Sequence, residues 1–261
     1  MHNKVLLINR KSENGFSFVE LSVVLVLIGL LTAGVLGGKS LLRQSQLKTI
    51  VAEHNRFKAA YDTFKFKFNA IPGDFNKAVQ YSLSIKNGDG DGILENLVYN
   101  SNGRTNEANN ALIHMQRANI LHTGVDEHLF GEYSRGILEK HFPRSTVDQN
   151  IGVRTTSAGG FYNGMASCPY YGKVDNINVL VYWGRVTNPH ESQSLDNKFD
   201  DGSPDSGIMY ASNGIGPPAS SNYNVAGNRC VTLGLCHVGN PIYAVSETDN
   251  KRCYLMFSLG K

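Results

Sequence analysis

GFSFVELSVVLVLIGLLTAGVLGG, Gly15 to Gly38, is the stretch from which the architecture follows. Leu21 to Gly38 runs for eighteen residues without a charge. A helix needs about 20 apolar residues to cross ~30 Å of hydrocarbon, and Phe16 to Val19 extend the run to that length. Lys4, Arg10 and Lys11 precede it with Glu13 as the only acid, and Lys39 and Arg43 follow. A basic leader of this kind predicts an N-terminus held in the cytoplasm and a translocated remainder. A secretory signal peptide would carry an apolar stretch of about 7–15 residues and an A-x-A cleavage site. Here the stretch is longer and no A-x-A follows. A plain signal anchor fits the hydropathy but leaves Glu20 unexplained.

Glu20 lies inside the apolar run, where a charged side chain costs roughly 2.5–3.5 kcal/mol on insertion scales and needs a partner or a function. Gly15-Phe16-Ser17-Phe18-Val19-Glu20, between a short basic leader and an apolar helix, resembles the class III signal of type IV pilins and type II secretion pseudopilins. The resemblance implies that a prepilin peptidase cuts between Gly15 and Phe16 and that the new amino group of Phe16 is N-methylated. Glu20 then becomes the fifth residue of the mature chain, the family's characteristic acid. A carboxylate in an apolar bundle requires a cation, and the amino terminus of a neighbouring Phe16 would supply one. Pairing offsets the desolvation penalty only when that partner is present, which makes Glu20 a register device for assembly. The family's partners follow: other pilin or pseudopilin subunits in a filament, the prepilin peptidase, and an inner-membrane assembly platform.

Beyond the apolar run the helix should continue. Leu47, Ile50, Val51, His54, Phe57, Tyr61, Phe64 and Phe68 form one stripe at helical period, with Lys48, Glu53, Arg56, Lys58 and Asp62 on other faces. Pro72-Gly73 ends it. The sequence therefore predicts a leader over 1–15, a helix over 16–68 (membrane and assembly half 16–38, stem 39–68), and an extracytoplasmic head over 69–261. Residues 76–104, rich in Asn, Gly and Ser, read as loop. A second helix is expected from Asn106 to His122, with Gly124 as its stop. Strands are expected at Ile177–Val186, Pro241–Val245 and Cys253–Leu259. The fold class is α+β: a long N-terminal helix packed on a head with an antiparallel sheet, as the pilin resemblance also implies.

Two acidic loops are candidate calcium sites. Asn87-Gly-Asp89-Gly-Asp91-Gly92 places oxygens at alternate positions with a glycine where a tight calcium loop turns. Glu95 falls at the ninth position of that register, but Val98 stands at the twelfth, where a bidentate Glu belongs. The alternative is a polar turn, since N-G and D-G are turn dipeptides. In the second loop, Leu195 to Gly207, the carboxylates of Asp200, Asp201 and Asp205 are placed to converge on one hard cation. Major pseudopilins bind calcium in a late loop of the head, which the resemblance carries to this stretch only loosely. Its alternative is a connection that caps itself through Asx-turns.

All four cysteines, Cys168, Cys230, Cys236 and Cys253, lie in the C-terminal half. That half is outside the cytoplasm by topology, so two disulfides are expected, with three connectivities open. Zinc is a poor rival, because no C-x-x-C occurs and only Cys236-His237 brings a histidine close. Many pilins carry a C-terminal disulfide loop, which Cys230 or Cys236 with Cys253 would resemble.

Composition excludes other classes. With 261 residues, 12 Phe, 12 Tyr and one Trp, the chain is neither disordered nor a disulfide mini-scaffold. A net charge of +3 is too mild for a nucleic-acid binder. No G-x-S-x-G, H-E-x-x-H or P-loop occurs, and the eight His are scattered, so an enzyme is not expected. Removing the leader takes 25 basic side chains to 22 and 22 acidic ones to 21, leaving a mature charge of +1. The expectation is a filament subunit held by one membrane span in a bacterial inner membrane, head in the periplasm. The rival is a signal-anchored extracytoplasmic enzyme or binding protein.

Overall fold

The structure, a computed structural model, describes residues 15–84, 86–95, 98–100, 103–105, 107–125, 142–157, 177–212, 230–231, 242–245 and 253–260. The chain divides into two units, Met1–Ser45 and Gln46–Lys261. Helix α1, Phe18–Phe68, contributes to both.

In the first unit α1 is apolar around its whole circumference. Leu21, Val24, Leu27, Leu31, Val35 and Leu42 are all exposed, with Leu31 at 68% and Leu42 at 64%. The helix is long and apolar enough to cross a membrane by length and composition.

In the second unit the stem has one buried face, as its periodicity predicts. Ile50, His54, Phe57, Tyr61 and Phe64 are buried at spacings of three and four, and Leu47, Val51 and Phe68 pack at the margin. Burying each large side chain of this kind stabilises by about 1.5–3 kcal/mol. The helix ends at Phe68 because Asn69 turns left-handed at φ 48°, and Gly73 follows at φ 97°. A Cβ at Gly73 would lie 2.3 Å from the Glu107 carbonyl oxygen, so only glycine admits this crossing.

A short antiparallel hairpin pairs β1 (Val98–Asn100) with β2 (Gly103–Thr105), inside a stretch expected to be loop. Helix α2 runs over Glu107–Arg117, shorter than the expected Asn106–His122. It stops early because Asn119 adopts φ 58° and the amides of Ile120 and Leu121 turn back to the Met115 carbonyl. Gly124 is not needed as the stop, and Asn119 and His122 face solvent rather than the core.

The head sheet has four antiparallel strands in the order β3-β4-β6-β5. These are β3 (Gly152–Ser157), β4 (Asn178–Trp183), β5 (Met209–Ser212) and β6 (Tyr254–Gly260). The expected runs at 177–186 and 253–259 are β4 and β6, the two central strands. The run expected at 241–245 is not a strand among the described residues. Tyr243 makes only an isolated bridge to Val231. Helix α3, Pro189–Phe199, falls between β4 and β5 and takes in the first five residues of the second acidic stretch. A capping box starts it: Asn188 Oδ1 accepts from the Glu191 amide, and the Glu191 carboxylate accepts from the Asn188 amide.

Stem, α2 and sheet share one core of Tyr61, Phe64, Leu112, Met115, Leu180, Tyr182 and Phe257 with their neighbours. Polar ties fix the register. Asn178, fully buried, donates to Tyr61 Oη at 3.0 Å and to the Gly92 carbonyl at 3.0 Å, and accepts from the Leu94 amide at 2.9 Å. Glu53 on the stem accepts from Ser145 Oγ at 2.7 Å and the Thr146 amide at 2.9 Å. One disulfide joins Cys230 to Cys253, closing the start of β6 onto its neighbouring segment. Cys168 and Cys236 lie outside the described residues.

Candidate functional site

Two regions carry chemistry, one in each unit. At the N-terminal end Gly15, Phe16 and Ser17 precede the first helical turn and are exposed, Phe16 at 88%. An exposed Gly15-Phe16 bond outside the helix suits a peptidase cleft that reads backbone. Glu20 sits in the first turn, where a carboxylate complements the helix dipole. Its Oε2 accepts from the Ser17 amide at 2.8 Å, and Ser17 Oγ accepts from the Val19 amide at 3.3 Å. Leu21 to Gly38 then present a continuous charge-free, apolar surface with Glu20 at its edge.

In the head, the loop after the stem folds over the start of α2 and gathers five carboxylates. Asp74, Asp89 and Glu107 bring oxygens within 4.8 Å of one another, and so do Asp89, Asp91 and Glu95. Asp89 belongs to both groups and joins them. Asp74 Oδ1 and Oδ2 accept from the amides of Gly90 and Gly92 at 2.5 and 2.7 Å. Glu107, at 0% exposure, accepts from the Asp89 amide at 3.0 Å. Asp89 Oδ1 accepts from the Asp91 amide, and Asp91 Oδ1 from the Ile93 amide, successive Asx-turns. Glu95 Oε2 is buried and meets no hydrogen-bond donor among the described residues.

The electrostatics are those of crowded, desolvated acids. Burial raises Asp74 to about 7; the amides of Gly92 and Gly90 pull it down while Asp91 and Asp89 push it up. Burial, followed by the charge of Asp74, raises Glu107 to about 10. Burial also raises Glu95 and Asp91. Asp74 and Glu107, buried this close to each other and to Asp89, cannot both ionise without a cation. The donor set is all oxygen, which suits a hard divalent ion such as calcium.

Of the residues expected here, Asp89 and Asp91 take part. Asn87 Oδ1 accepts from the Val79 amide at 2.9 Å and holds the turn at 79–87. Glu95 does join, at the register position read from sequence. Asp74 and Glu107 were not anticipated. Asp74 stands in the Ile71-Pro72-Gly73-Asp74 segment that closes the stem, and Glu107 opens α2. No local spacing links them to 89–95, because Gly73 packing on α2 makes the juxtaposition.

The second acidic loop closes on itself. The group of acids within reach of one another is Asp196, Asp200 and Asp201, so the expected Asp205 is replaced by Asp196 from the last turn of α3. Asp205 instead accepts from Ser203 Oγ at 2.7 Å. Asp200 accepts from the amides of Ile208 and Met209, and Asp201 from the Ser203 amide and Ser206 Oγ. Asp196, fully buried, accepts from Tyr243 Oη at 2.6 Å and the Gly202 amide at 3.2 Å, and burial raises it to about 6. Each of these carboxylates already has protein donors, the self-capping arrangement expected of a Gly/Pro/Asp connection.

Residues 10–36 match the family model of the prokaryotic N-terminal methylation motif. No curated protein and no solved structure matches the chain. The matched segment spans the basic end of the leader, the Gly15-Phe16 bond, Glu20 and most of the apolar run. The chain therefore carries a type IV pilin-like prepilin signal on an α+β protein with a long N-terminal helix, which implies processing by a prepilin peptidase and anchoring in a membrane.

Proposed function

We propose that this protein is a structural subunit of a type IV pilus-like filament or of a type II secretion pseudopilus. The peptidase cuts between Gly15 and Phe16, Phe16 is N-methylated, and the subunit waits in the inner membrane with its head in the periplasm. Polymerisation then moves residues 16–38 from lipid into a filament core. The observation that carries the reading is an apolar helix exposed on every side, with a single carboxylate, Glu20, at its end. A bundle of such helices gives the apolar surface a protein partner, and a neighbour's Phe16 ammonium gives Glu20 a cation. Co-expression with wild-type subunits tests it. Glu20→Ala should insert into the membrane normally yet be excluded from filaments. Incorporation at the wild-type level would overturn the pairing.

We also propose that the head holds a calcium ion with Asp74, Asp89, Asp91, Glu95 and Glu107. The fully buried Glu107 carboxylate beside Asp74 and Asp89 supports this, as does the buried Oε2 of Glu95, which has no donor among the described residues. A hard dication would neutralise the cluster and tie the post-stem loop to α2, stiffening the head outside the cell, where calcium is plentiful. Calcium added to the metal-free chain should raise Tm, and Glu107→Ala should abolish the rise. A wild-type chain indifferent to calcium would refute the site.

A further inference from the structure

We infer that the head carries a ligand site of its own, a cleft at the edge of the sheet that receives a cationic group, the ammonium or guanidinium end of a basic side chain on a short peptide segment. The cleft is separate from the membrane helix and from the Asp74–Glu107 cluster, and it does not depend on the filament reading.

The cleft has a volume of about 710 Å³, within the range of sites that hold small ligands. β5 is an edge strand, and the loop after α3 meets its open side where the Ala211 amide donates to the Pro204 carbonyl at 3.0 Å. Met209 and Ala211 join the core beneath the sheet, so Tyr210 between them faces the other way. There it lines the cleft with Gln193 of α3, Pro204 and Asp205 of the loop, and Ile242. The loop curves round this space because Gly207 takes φ 72°, and a Cβ there would lie 2.1 Å from Asp200 Oδ2.

Tyr210 supplies the observation that points to a ligand. It is only 6% exposed, yet its hydroxyl has no hydrogen-bond partner among the described residues. A buried tyrosine hydroxyl usually finds one. The Gln193 carboxamide has none among the described residues either, so two polar groups face the cleft unmatched.

The sign of the local field selects the ligand. Between 196 and 207, Asp196, Asp200, Asp201 and Asp205 stand against one base, Lys198. No lysine, arginine or histidine among the described residues lines the cleft. Burial first, then the charges of Asp200, Asp201 and Asp205, push the Tyr210 phenol up, so it keeps its proton in a negative field. An ammonium or guanidinium only donates hydrogen bonds, and here it meets acceptors in Asp205, Tyr210 Oη and Gln193 Oε1. An anion would be repelled, and a neutral polyol would gain nothing from the charge. A bare metal ion would find Asp200 and Asp201 already turned onto loop amides and a serine hydroxyl.

Three probes and two variants test the site. A blocked Gly-Arg-Gly tripeptide, the same peptide with Gln for Arg, and maltose are titrated into the ¹⁵N-labelled full chain in uncharged detergent micelles. The Arg peptide should shift the amides of Gln193, Ser206 and Tyr210 saturably, with a Kd of about 1 mM or tighter. Asp205→Asn keeps an acceptor for Ser203 Oγ but loses the charge, and should weaken binding about tenfold. Tyr210→Phe removes only the hydroxyl and should weaken binding about fivefold. Its Tm should stay within about 2 °C of wild type, because the hydroxyl has no protein bond to lose. No saturable shift up to about 20 mM Arg peptide would overturn the site, as would undiminished binding in both variants. Equal affinity for the Gln peptide would overturn the choice of a cation, and tighter binding of maltose would replace it with a neutral sugar. A fall in Tm above about 4 °C in Tyr210→Phe would show that the hydroxyl serves the fold and overturn its role in the cleft.

Discussion

Raising the pH from 7 to 9 without calcium should destabilise the head, and calcium should erase the effect. Asp74 is 4% exposed and Glu107 is at 0%, and burial first, then neighbouring acids, holds them at about 7 and about 10. Both values lie above those of the unfolded chain, near 3.8 and 4.5. For such groups the native state binds more protons than the unfolded state between the two pKa values. Their stabilising contribution is complete below the unfolded pKa and is lost as pH rises through the folded one. Each costs about 1.4 kcal/mol per pH unit inside that window. Across pH 7 to 9, Glu107 stays in its window and Asp74 leaves it near the start, so the loss is about 3 kcal/mol. Buried His54 and His114, held down to about 4 and about 3 chiefly by burial, add little, because the unfolded imidazoles are already almost neutral above pH 7. For a unit of this size about 3 kcal/mol lowers Tm by roughly 6–12 °C. Circular dichroism melts of the chain in detergent, with a chelator, measure it. Calcium at a hundred times its Kd adds about 2.7 kcal/mol, and binding strengthens as protons leave, so the calcium-loaded melts should be level with pH. Glu107→Gln removes most of the fall. A metal-free wild-type Tm that is constant or rising from pH 7 to 9 would refute the reasoning, as would a Glu107→Gln chain that falls as steeply as wild type.

Other perturbations have worked magnitudes. Asn178→Ala strands the Leu94 amide, the Gly92 carbonyl and Tyr61 Oη in a buried setting. At about 1–3 kcal/mol per unsatisfied group, less than additively, Tm should drop by roughly 8–15 °C, and a loss under 3 °C would contradict the bridging role. Cys253→Ser opens a disulfide with a sequence separation of 23. Chain entropy puts that at about 3 kcal/mol, readable as an earlier urea midpoint, and an unmoved midpoint would count against a stabilising bridge.

The parts of the fold legible in the sequence are those written in periodicity. The stem stripe from Leu47 to Phe68 and the apolar runs of β4 and β6 each bury the face their spacing announces. Strand β3, Gly-Val-Arg-Thr-Thr-Ser, was not legible. Thr155, Thr156 and Ser157 are buried polar residues, so no apolar alternation marks them. Its edge is covered by 143–145, through bonds such as Val153 to the Pro143 carbonyl, which only the tertiary fold supplies. Helix α3 did leave a trace, the Asn188-x-x-Glu191 box with Pro189 inside its start, but little apolar periodicity follows. The candidate cation cluster divides the same way. Asp89, Asp91 and Glu95 stand at alternating positions of one loop, whereas Asp74 and Glu107 arrive from two other segments through the close approach of Gly73 to α2.

The filament account stands on one bond. Intact mass and N-terminal sequencing of the protein from cells that make it should show a chain that begins with N-methylated Phe16 followed by Ser17. An intact leader, or a chain beginning after Gly38, would contradict the account and favour a signal-anchored or secreted protein.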